Sequence, residues 1–255
     1  MIEYWADNSK NELNQRTFPV MLPFGSTEQH GNHLPVGTDH LLANAVVSNL
    51  VDRYKTQIDL SILPPLHYGK STEHANFPGT ITLSAHTLLS TLYDISLSLK
   101  RQAIPSLVIL NTHGGNVGIV DCALYDIRMD YGIDAYAIHL GRIFESLGGK
   151  CAFPYSMHAG YVETAIMKHC YPEYERLYAI TPDKGIDTAG FTKLTDIQSL
   201  ISWGWATEDI SAQEGYMGDP SQSTAEQGRK ILEAAVDVLF EQLKKICMRT
   251  KGRTL

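Results

Sequence analysis

Two kinds of hydrophobic pattern alternate along the chain. Short, almost continuous apolar runs are typical of strands buried on both faces, whereas apolar residues that recur every three to four positions indicate amphipathic helices. The first pattern predicts strands at residues 17–25, 60–66, 106–111 and 134–140. The second predicts helices at residues 38–54, 84–102, 117–132, 159–171 and 223–249. Because strands and helices alternate, we expect an α/β fold in which helices cover both faces of a mainly parallel sheet.

The segment at residues 183–222 is the least regular part of the sequence and is rich in Gly, Ser, Thr and Trp. A long segment of this kind is expected to form an active-site flap or a contact between subunits. Its Trp203 and Trp205 fit the wall of a small-molecule pocket, but an aromatic pair more often lies in a core or a subunit interface, which we expect here. No change of composition and no internal repeat marks a boundary, so we expect one domain over residues 1–255.

Composition and charge argue against several classes of function. The chain has 255 residues, with 21 basic and 28 acidic side chains and a formal net charge of −7. It has no run rich in Lys and Arg, so we expect neither a nucleic-acid nor a membrane partner. The four cysteines show no CxxC spacing, and no stretch resembles a signal peptide or a membrane span. These features together predict a cytoplasmic protein.

The stretch GSTEQHGNHLPVGTDH, which follows the first predicted strand, concentrates histidines and carboxylates among small residues. If the chain is extended there, Glu28 and His30 point to the same side. Asp39 lies at the entry to the next helix, and the glycines let the loop fold back so that Asp39 joins them. Such ligands suit Zn²⁺, Mn²⁺ or Fe²⁺, so a metal or proton-transfer site is favoured over an accident of composition. His33 and His40 are expected to be structural or to support the ligands from behind, because one loop rarely supplies five ligands.

Three further residues lie at places where ligands or acid–base groups are found. His113 follows the strand SLVILN, at the carboxyl end where open α/β sheets bind ligands. The glycine pair after it also resembles a phosphate cradle, but the lysine and the spacing of a P-loop are missing, so His113 is interpreted as a further ligand. From position alone, His158 is expected to be a capping or core histidine and Glu163 a solvated helical residue.

Five blocks of the sequence together resemble the creatininase (creatinine amidohydrolase) family. They are LPFGSTEQHGNHLPVGTDH, STEHANFPGTITLS, LNTHGGN, MHAGYVETA and GYMGDPSQSTAEQG, and they occur in the family's order over nearly the whole chain. The resemblance implies a three-layer α/β/α sandwich. It also implies a metal-dependent hydrolase that cleaves a C–N bond of a small amide or cyclic amide, other than an ordinary peptide bond, and that often assembles as a homohexamer.

Residue by residue, the resemblance implies a centre with two divalent metal ions per chain, with metal-activated water as the nucleophile. Glu28, Asp39 and His113 match ligands of one metal. His30 and the shared Asp39 match ligands of the second. His158 matches the family's proton-transfer histidine and is the expected catalytic residue.

Further residues are assigned by the same resemblance. Glu163 matches the acidic position of the block MHAGYVETA, where it is expected to act in catalysis or to complete the shell of the second metal. Ser71, Glu73 and His74, in the block STEHANFPGT, are expected to face the substrate or to support the ligands.

One position departs from the family's pattern. In creatininase proper, a glutamate that binds the second metal stands two positions after the histidine, and here that position is Gly115. The glycine form is common in two other groups: deformylases of a formamidopyrimidine intermediate in flavin-type cofactor synthesis, and peptide-trimming enzymes of redox-cofactor pathways. The substrate therefore stays open between a small amide and these alternatives.

A phosphoesterase is less well supported, since the motif loops carry no Arg or Lys except Lys70 and Lys168 at their margins. A non-catalytic metal-binding scaffold is disfavoured because the other ligand positions are all present.

Overall fold

A five-stranded parallel sheet lies at the centre of the protein. The structure is a computed structural model that describes residues 1–14, 16–151, 156–177, 204–209, 211 and 215–252. The strands of the sheet are β1 (Ile2–Tyr4), β2 (Val20–Phe24), β3 (Leu60–Ile62), β4 (Ser106–Asn111) and β5 (Asp134–His139). Their order is β1-β3-β2-β4-β5. Every residue of β2 and β4 is buried, as expected for strands that are covered on both faces.

Helices cover both faces of this sheet. They are α1 (Lys10–Leu13), α2 (Thr38–Tyr54), α3 (Ala85–Arg101), α4 (Val117–Asp126), α5 (Leu140–Cys151), α6 (Tyr161–Cys170) and α7 (Ala225–Lys251). Alternate residues of the central strands enter two separate cores. Met21 and Val108 pack with α2, α5, α6 and α7, whereas Leu22 and Leu107 pack with α3 and α4. The predicted three-layer α/β/α architecture with a mainly parallel sheet is therefore confirmed.

The strand order determines where a site can form. β2 pairs with β3 on one side and with β4 on the other. In the register of the two central strands, Phe24 at the end of β2 lies opposite Asn111 at the end of β4. The loops that follow these strands therefore begin side by side, at the edge where α/β proteins bind their ligands.

Most predicted elements are found close to their expected bounds, and α2 begins and ends at the predicted residues. The predicted cap of α3 is also found, since Ser84 Oγ accepts a hydrogen bond of 3.1 Å from the Thr87 N–H. The helix predicted at residues 117–132 differs. It is α-helical only as far as Asp126 and continues as a π-helical turn, Ile127–Tyr131, before a left-handed glycine ends it.

Some elements were not predicted. They include β1, α1, α5 and a small antiparallel sheet of β6 (Ser156–His158) and β7 (Met217–Gly218). The flap or subunit contact predicted at residues 183–222 lies mostly outside the described residues, as does Trp203. Among the helices that the structure describes, none combines the length and the apolar character needed to cross a membrane.

Candidate metal centre

The loop between β2 and α2 folds back on itself at the carboxyl ends of β2 and β4. The Glu28 N–H donates a hydrogen bond of 2.9 Å to the Val36 carbonyl oxygen. Gly25 has no space for a side chain, because a Cβ there would lie 2.8 Å from the main-chain nitrogen of His40 in the first turn of α2. This close approach brings Asp39 beside the residues of the loop, as the sequence predicted.

Among the residues that the structure describes, three groups of side chains have possible ligand atoms within 4.8 Å of one another, and all three lie at this edge. They are Glu28–Asp39–His113, His30–His158–Glu163 and Glu28–His74–His158. In the first group, His113 Nδ1 lies 3.2 Å from Glu28 Oε1 and 3.3 Å from Asp39 Oδ2. The other oxygen of Asp39, Oδ1, lies 3.5 Å from His30 Nε2. Asp39 therefore links the first two groups. Its Oδ2 faces His113 of the first group, and its Oδ1 faces His30 of the second.

Several atoms of this cluster lack the hydrogen bonds that buried polar groups need. Among the described residues, both carboxylate oxygens of Glu28, Oδ2 of Asp39 and Nε2 of His30 are buried without a hydrogen-bond partner. Leaving such a group unpaired costs about 1–3 kcal/mol. Two ligands bound to one ion at about 2.1 Å in tetrahedral geometry are about 3.4 Å apart. The separations of 3.2, 3.3 and 3.5 Å are close to this value, so the side chains fit divalent cations.

The charges of the cluster act on one another. Burial would raise the pKa of Glu28, but the neighbouring imidazoles, His113 foremost, outweigh it and hold that pKa well below its usual range. Burial and the charge of Glu28 raise the pKa of Asp39. Burial would lower the pKa values of His113 and His30, but the carboxylates raise them to about 10 and about 9. The two carboxylates thus stabilise positive charge in a buried site, and the same electrostatic attraction favours the binding of a dication.

The side chain of Asn111 holds the loop after β4. Its Nδ2 donates to the His113 carbonyl oxygen at 2.7 Å, and its Oδ1 accepts from the His113 N–H at 3.3 Å. The outer ring nitrogen of His113, Nε2, lies 2.8 Å from the Lys70 carbonyl oxygen and 3.3 Å from Ser71 Oγ. These contacts leave Nδ1 facing the carboxylates. A ligand histidine whose other N–H donates to a carbonyl is common at metal sites.

His158 and His74 form a stacked pair beside Glu28, with ring centroids 4.2 Å apart. Nε2 of His158 donates to the Gln29 carbonyl oxygen at 2.8 Å, and its Nδ1 lies 3.6 Å from Glu28 Oε1. Burial lowers the pKa of His158 well below its ordinary value and lowers that of His74 to about 4, so both rings are neutral at neutral pH. His158, which position alone assigned to a cap or a core, therefore belongs to the cluster.

Glu163 lies in the first turn of α6 and also belongs to the cluster. Its Oε2 accepts a hydrogen bond of 2.5 Å from the Ala159 N–H. Burial raises the pKa of its carboxyl group to about 7. The carboxylate is grouped with His30 and His158, so the interpretation of Glu163 as a solvated residue is wrong.

The remaining candidates lie around this cluster. His33 Nε2 lies 2.8 Å from the Ala159 carbonyl oxygen, and His40 stacks on His67, so both lie outside the three groups. Trp205, which we expected in a core or an interface, packs edge-on against His74 at 6.2 Å and so lies beside the site.

Gly115 is closed to any side chain. A Cβ there would lie 2.1 Å from the Lys70 carbonyl oxygen, 2.3 Å from Glu73 Oε1 and 2.6 Å from His113 Nε2. The Glu73 carboxylate itself lies 3.9 Å from His113 Nε2. A glutamate at position 115 cannot enter the cluster from this main chain unless the main chain moves.

Sequence reasoning missed two amide side chains that hold the cluster, Gln29 and Asn111. Gln29 lies between Glu28 and His30, and Asn111 lies two positions before His113. Position beside ligand residues is their only signal, because an amide has no spacing rule of its own.

Comparison with known proteins identifies the family. The family model for creatininase, described as creatinine amidohydrolase, matches residues 5–243. The chain therefore belongs to the creatininase family of hydrolases.

Relatives within this family carry different names. A mycofactocin precursor peptide peptidase from Mycolicibacterium smegmatis is 30% identical over 243 residues, which are 93% of this chain and 89% of that protein. A creatinine amidohydrolase from Pseudomonas putida is 31% identical over 173 residues, which are 60% of this chain and 65% of that protein.

Solved creatininase structures share the fold. A creatininase described with Mn superimposes with a TM-score of 0.75 at 22% identity, covering 96% of this chain and 98% of that chain. A creatininase variant described as the Zn-Zn type has a TM-score of 0.74 at 23% identity, with the same coverage of 96% and 98%.

Proposed function

We propose that this chain is a metal-dependent amidohydrolase that splits a carbonyl–nitrogen bond with water. The proposal rests above all on the buried cluster in which Asp39 stands between Glu28–His113 and His30, with four polar atoms that lack a described hydrogen-bond partner. Membership of the creatininase family supports the same reaction class.

Two divalent cations per chain, Zn²⁺, Mn²⁺ or Fe²⁺, fit the ligand atoms. Glu28, Asp39 and His113 would hold the first ion. His30, the second oxygen of Asp39 and Glu163 would hold the other, with Glu163 supplying the carboxylate that position 115 does not. The Mn and Zn-Zn creatininases support these ions as candidates for a centre of this fold.

Bound at this cluster, a divalent cation would lower the pKa of a water from 15.7 to about 7 and would polarise a carbonyl group. The carboxylates of Glu28 and Asp39 offset the positive charge and orient the ligand histidines. The lone pair of His158 Nδ1 faces the cluster, because Nε2 is engaged by the Gln29 carbonyl oxygen. His158 takes up the proton of the attacking water and delivers it to the leaving nitrogen, which departs slowly as an anion.

The substrate class we propose is a small amide or cyclic amide, in keeping with the creatinine amidohydrolase relative. A short peptide is the second candidate. It is favoured by the peptide peptidase relative, which matches 93% of the chain where the creatinine amidohydrolase matches 60%. Gly115, which differs from creatininase proper, favours the peptide or a formamide over creatinine itself.

A substrate screen tests the proposal. Protein loaded separately with Zn²⁺, Mn²⁺ or Fe²⁺ is incubated with creatinine, a hydantoin, a formamide and a panel of short peptides, and the released amine is measured. Asp39→Asn serves as the matched variant, because it keeps the size of the side chain and removes its charge. We expect metal-dependent hydrolysis in at least one class and its loss in Asp39→Asn. Stoichiometric metal binding without hydrolysis in any class would contradict the proposal.

A further inference from the structure

Gln29 lies where three segments of the site meet. Its side chain is neither a proposed metal ligand nor the proposed proton-transfer group. The residue is only 5% exposed. Its carboxamide nitrogen lies within hydrogen-bond distance of His74, of His158 and of the Gly215 main chain. A buried amide with this many partners restricts the hydrogen positions of all of them.

The main chain determines which way the carboxamide points. Oε1 of Gln29 accepts a hydrogen bond of 2.9 Å from the Gly31 N–H, and Nε2 donates one of 2.6 Å to the Gly215 carbonyl oxygen. In the opposite orientation, the carboxamide NH₂ group would face the Gly31 N–H, and the carboxamide oxygen would face the Gly215 carbonyl oxygen. One hydrogen of Nε2 is left, and two ring nitrogens are in reach of it: His74 Nδ1 at 2.9 Å and His158 Nε2 at 3.1 Å.

Only one of these two ring nitrogens can accept. His158 Nε2 lies 2.8 Å from the Gln29 carbonyl oxygen, which is an acceptor, so this nitrogen carries a hydrogen and donates. The remaining hydrogen of the carboxamide therefore goes to Nδ1 of His74. The Thr207 hydroxyl lies 2.6 Å from the same Nδ1, and its one hydrogen is donated to the Glu73 carbonyl oxygen at 2.8 Å.

The hydrogen-bond geometry thus places a hydrogen on Nε2 of each ring, and the two rings present opposite atoms to Glu28. His158 presents the lone pair of Nδ1, and His74 presents its Nε2–H, and each of these nitrogens lies 3.6 Å from Glu28 Oε1. We propose that Gln29 is the positioning residue that sets both tautomers, through its carbonyl oxygen for His158 and through its carboxamide for His74.

The consequence for catalysis rests on the proposed function. A hydrolase that attacks an amide needs an acceptor for the proton of water and a donor for the negative charge that develops on the carbonyl oxygen. The stacked pair supplies both, with His158 as the acceptor and His74 as the donor. The tautomers themselves do not depend on any activity and can be measured separately.

Nuclear magnetic resonance of the full chain labelled with ¹⁵N-histidine tests the proposal, because ring nitrogens with and without a hydrogen have well separated ¹⁵N shifts. The spectra are recorded with Zn²⁺ and without metal, and assigned with His74→Asn and His158→Asn. The wild-type protein is expected to carry the hydrogen on Nε2 in both rings.

Two variants of Gln29 separate its two contacts. Gln29→Met removes the carboxamide but keeps the main-chain carbonyl, so His74 is expected to populate both tautomers while His158 stays unchanged. Gln29→Glu places an acceptor beside Nδ1 of His74, which is then expected to carry a hydrogen. If the chain is the proposed hydrolase, kcat of Gln29→Met falls about 10- to 100-fold, while KM stays near the wild-type value.

Thr80→Val is the matched control. It removes the Oγ1 atom that accepts the Gln29 N–H at 3.0 Å and leaves the carboxamide in place, so both tautomers are expected to stay as in the wild type. A hydrogen on Nδ1 of His74 in the wild type would overturn the proposal. So would an unchanged His74 tautomer in Gln29→Met, or an equal change in Thr80→Val. If no substrate is hydrolysed, the proposed function fails while the tautomer measurement still decides this proposal.

Discussion

Gly115 stands where the resemblance to creatininase proper implies a glutamate, and the atoms around it predict the effect of replacing it. In Gly115→Ala, the added Cβ would lie 2.1 Å from the Lys70 carbonyl oxygen and 2.6 Å from His113 Nε2. Cβ atoms essentially never approach other heavy atoms closer than 3.0 Å, so this main chain must move by about 1 Å. That movement breaks the 2.8 Å hydrogen bond between His113 Nε2 and the Lys70 carbonyl oxygen, which orients the ring.

Two measurable losses are expected from Gly115→Ala. Overpacking costs about 1–3 kcal/mol of the free energy of unfolding. At about 2–4 °C per kcal/mol for a chain of this size, Tm falls by about 2–12 °C. Disorienting a ligand histidine lowers metal affinity by about 10- to 100-fold. Calorimetric scanning measures the first effect, and competition with a chromophoric chelator measures the second.

The neighbouring glycine provides the matched control. Gly114 is exposed, and a Cβ there would meet nothing within 4 Å, so Gly114→Ala is expected to keep the wild-type Tm and metal affinity. Gly115→Glu, which introduces the residue that the resemblance implies for creatininase proper, carries the same Cβ and is expected to bind metal no better than Gly115→Ala. Wild-type stability and affinity in Gly115→Ala would refute the reasoning, as would tighter metal binding in Gly115→Glu.

Substitutions within the cluster separate metal binding from turnover. Asp39→Ala is expected to lose metal and hydrolysis together, because both of its oxygens face ligand groups; metal analysis that finds full occupancy would contradict this. His158→Ala is expected to keep its metal and lose at least about 100-fold in kcat, and a parallel fall in metal content would show that its assigned role is wrong. Glu163→Gln is expected to reduce the calorimetric stoichiometry from two ions to one, an outcome that unchanged stoichiometry would rule out. Metal binding is expected to release protons, since His113 and His30, whose pKa values are raised to about 10 and about 9, must free their ligand atoms. The apparent affinity therefore weakens as the pH falls below about 10, and an affinity independent of pH would argue against these two ligands.

The elements that the sequence predicted well are those whose pattern extends over several turns or over a continuous buried strand. Helix α2 and strand β4 are of this kind, and their predicted bounds were correct. Strand β1 has three residues, too few for a period to show. Helix α5 begins at Leu140 directly after β5 ends at His139, so no loop or cap separates the two.

Part of the site could be predicted because buried charges need partners, so a cluster of titratable residues in one loop indicates a site. Five titratable side chains crowded into one loop of the sequence indicated Glu28, His30 and Asp39. The sequence around Glu163 could not show that this residue belongs to the site. A glutamate in the first turn of a helix has the same local sequence pattern whether it faces water or a cluster of side chains from distant segments. The role of Gln29 depends on His74 and on the main chain of Gly215, whose proximity only the folded chain creates.

The candidate ligands come from four separate places: the loop after β2, the start of α2, the loop after β4 and the start of α6. An ion bound by all of them would act as a cross-link between these segments, in addition to hydrogen bonds such as the one that Thr112 Oγ1 donates to the Asp39 carbonyl oxygen. At a free concentration 1,000 times its Kd, such an ion would add about 4.1 kcal/mol to the free energy of unfolding. The lifetime of this protein in a cell would then track the supply of that ion, and metal starvation would remove the chain by proteolysis as well as its activity.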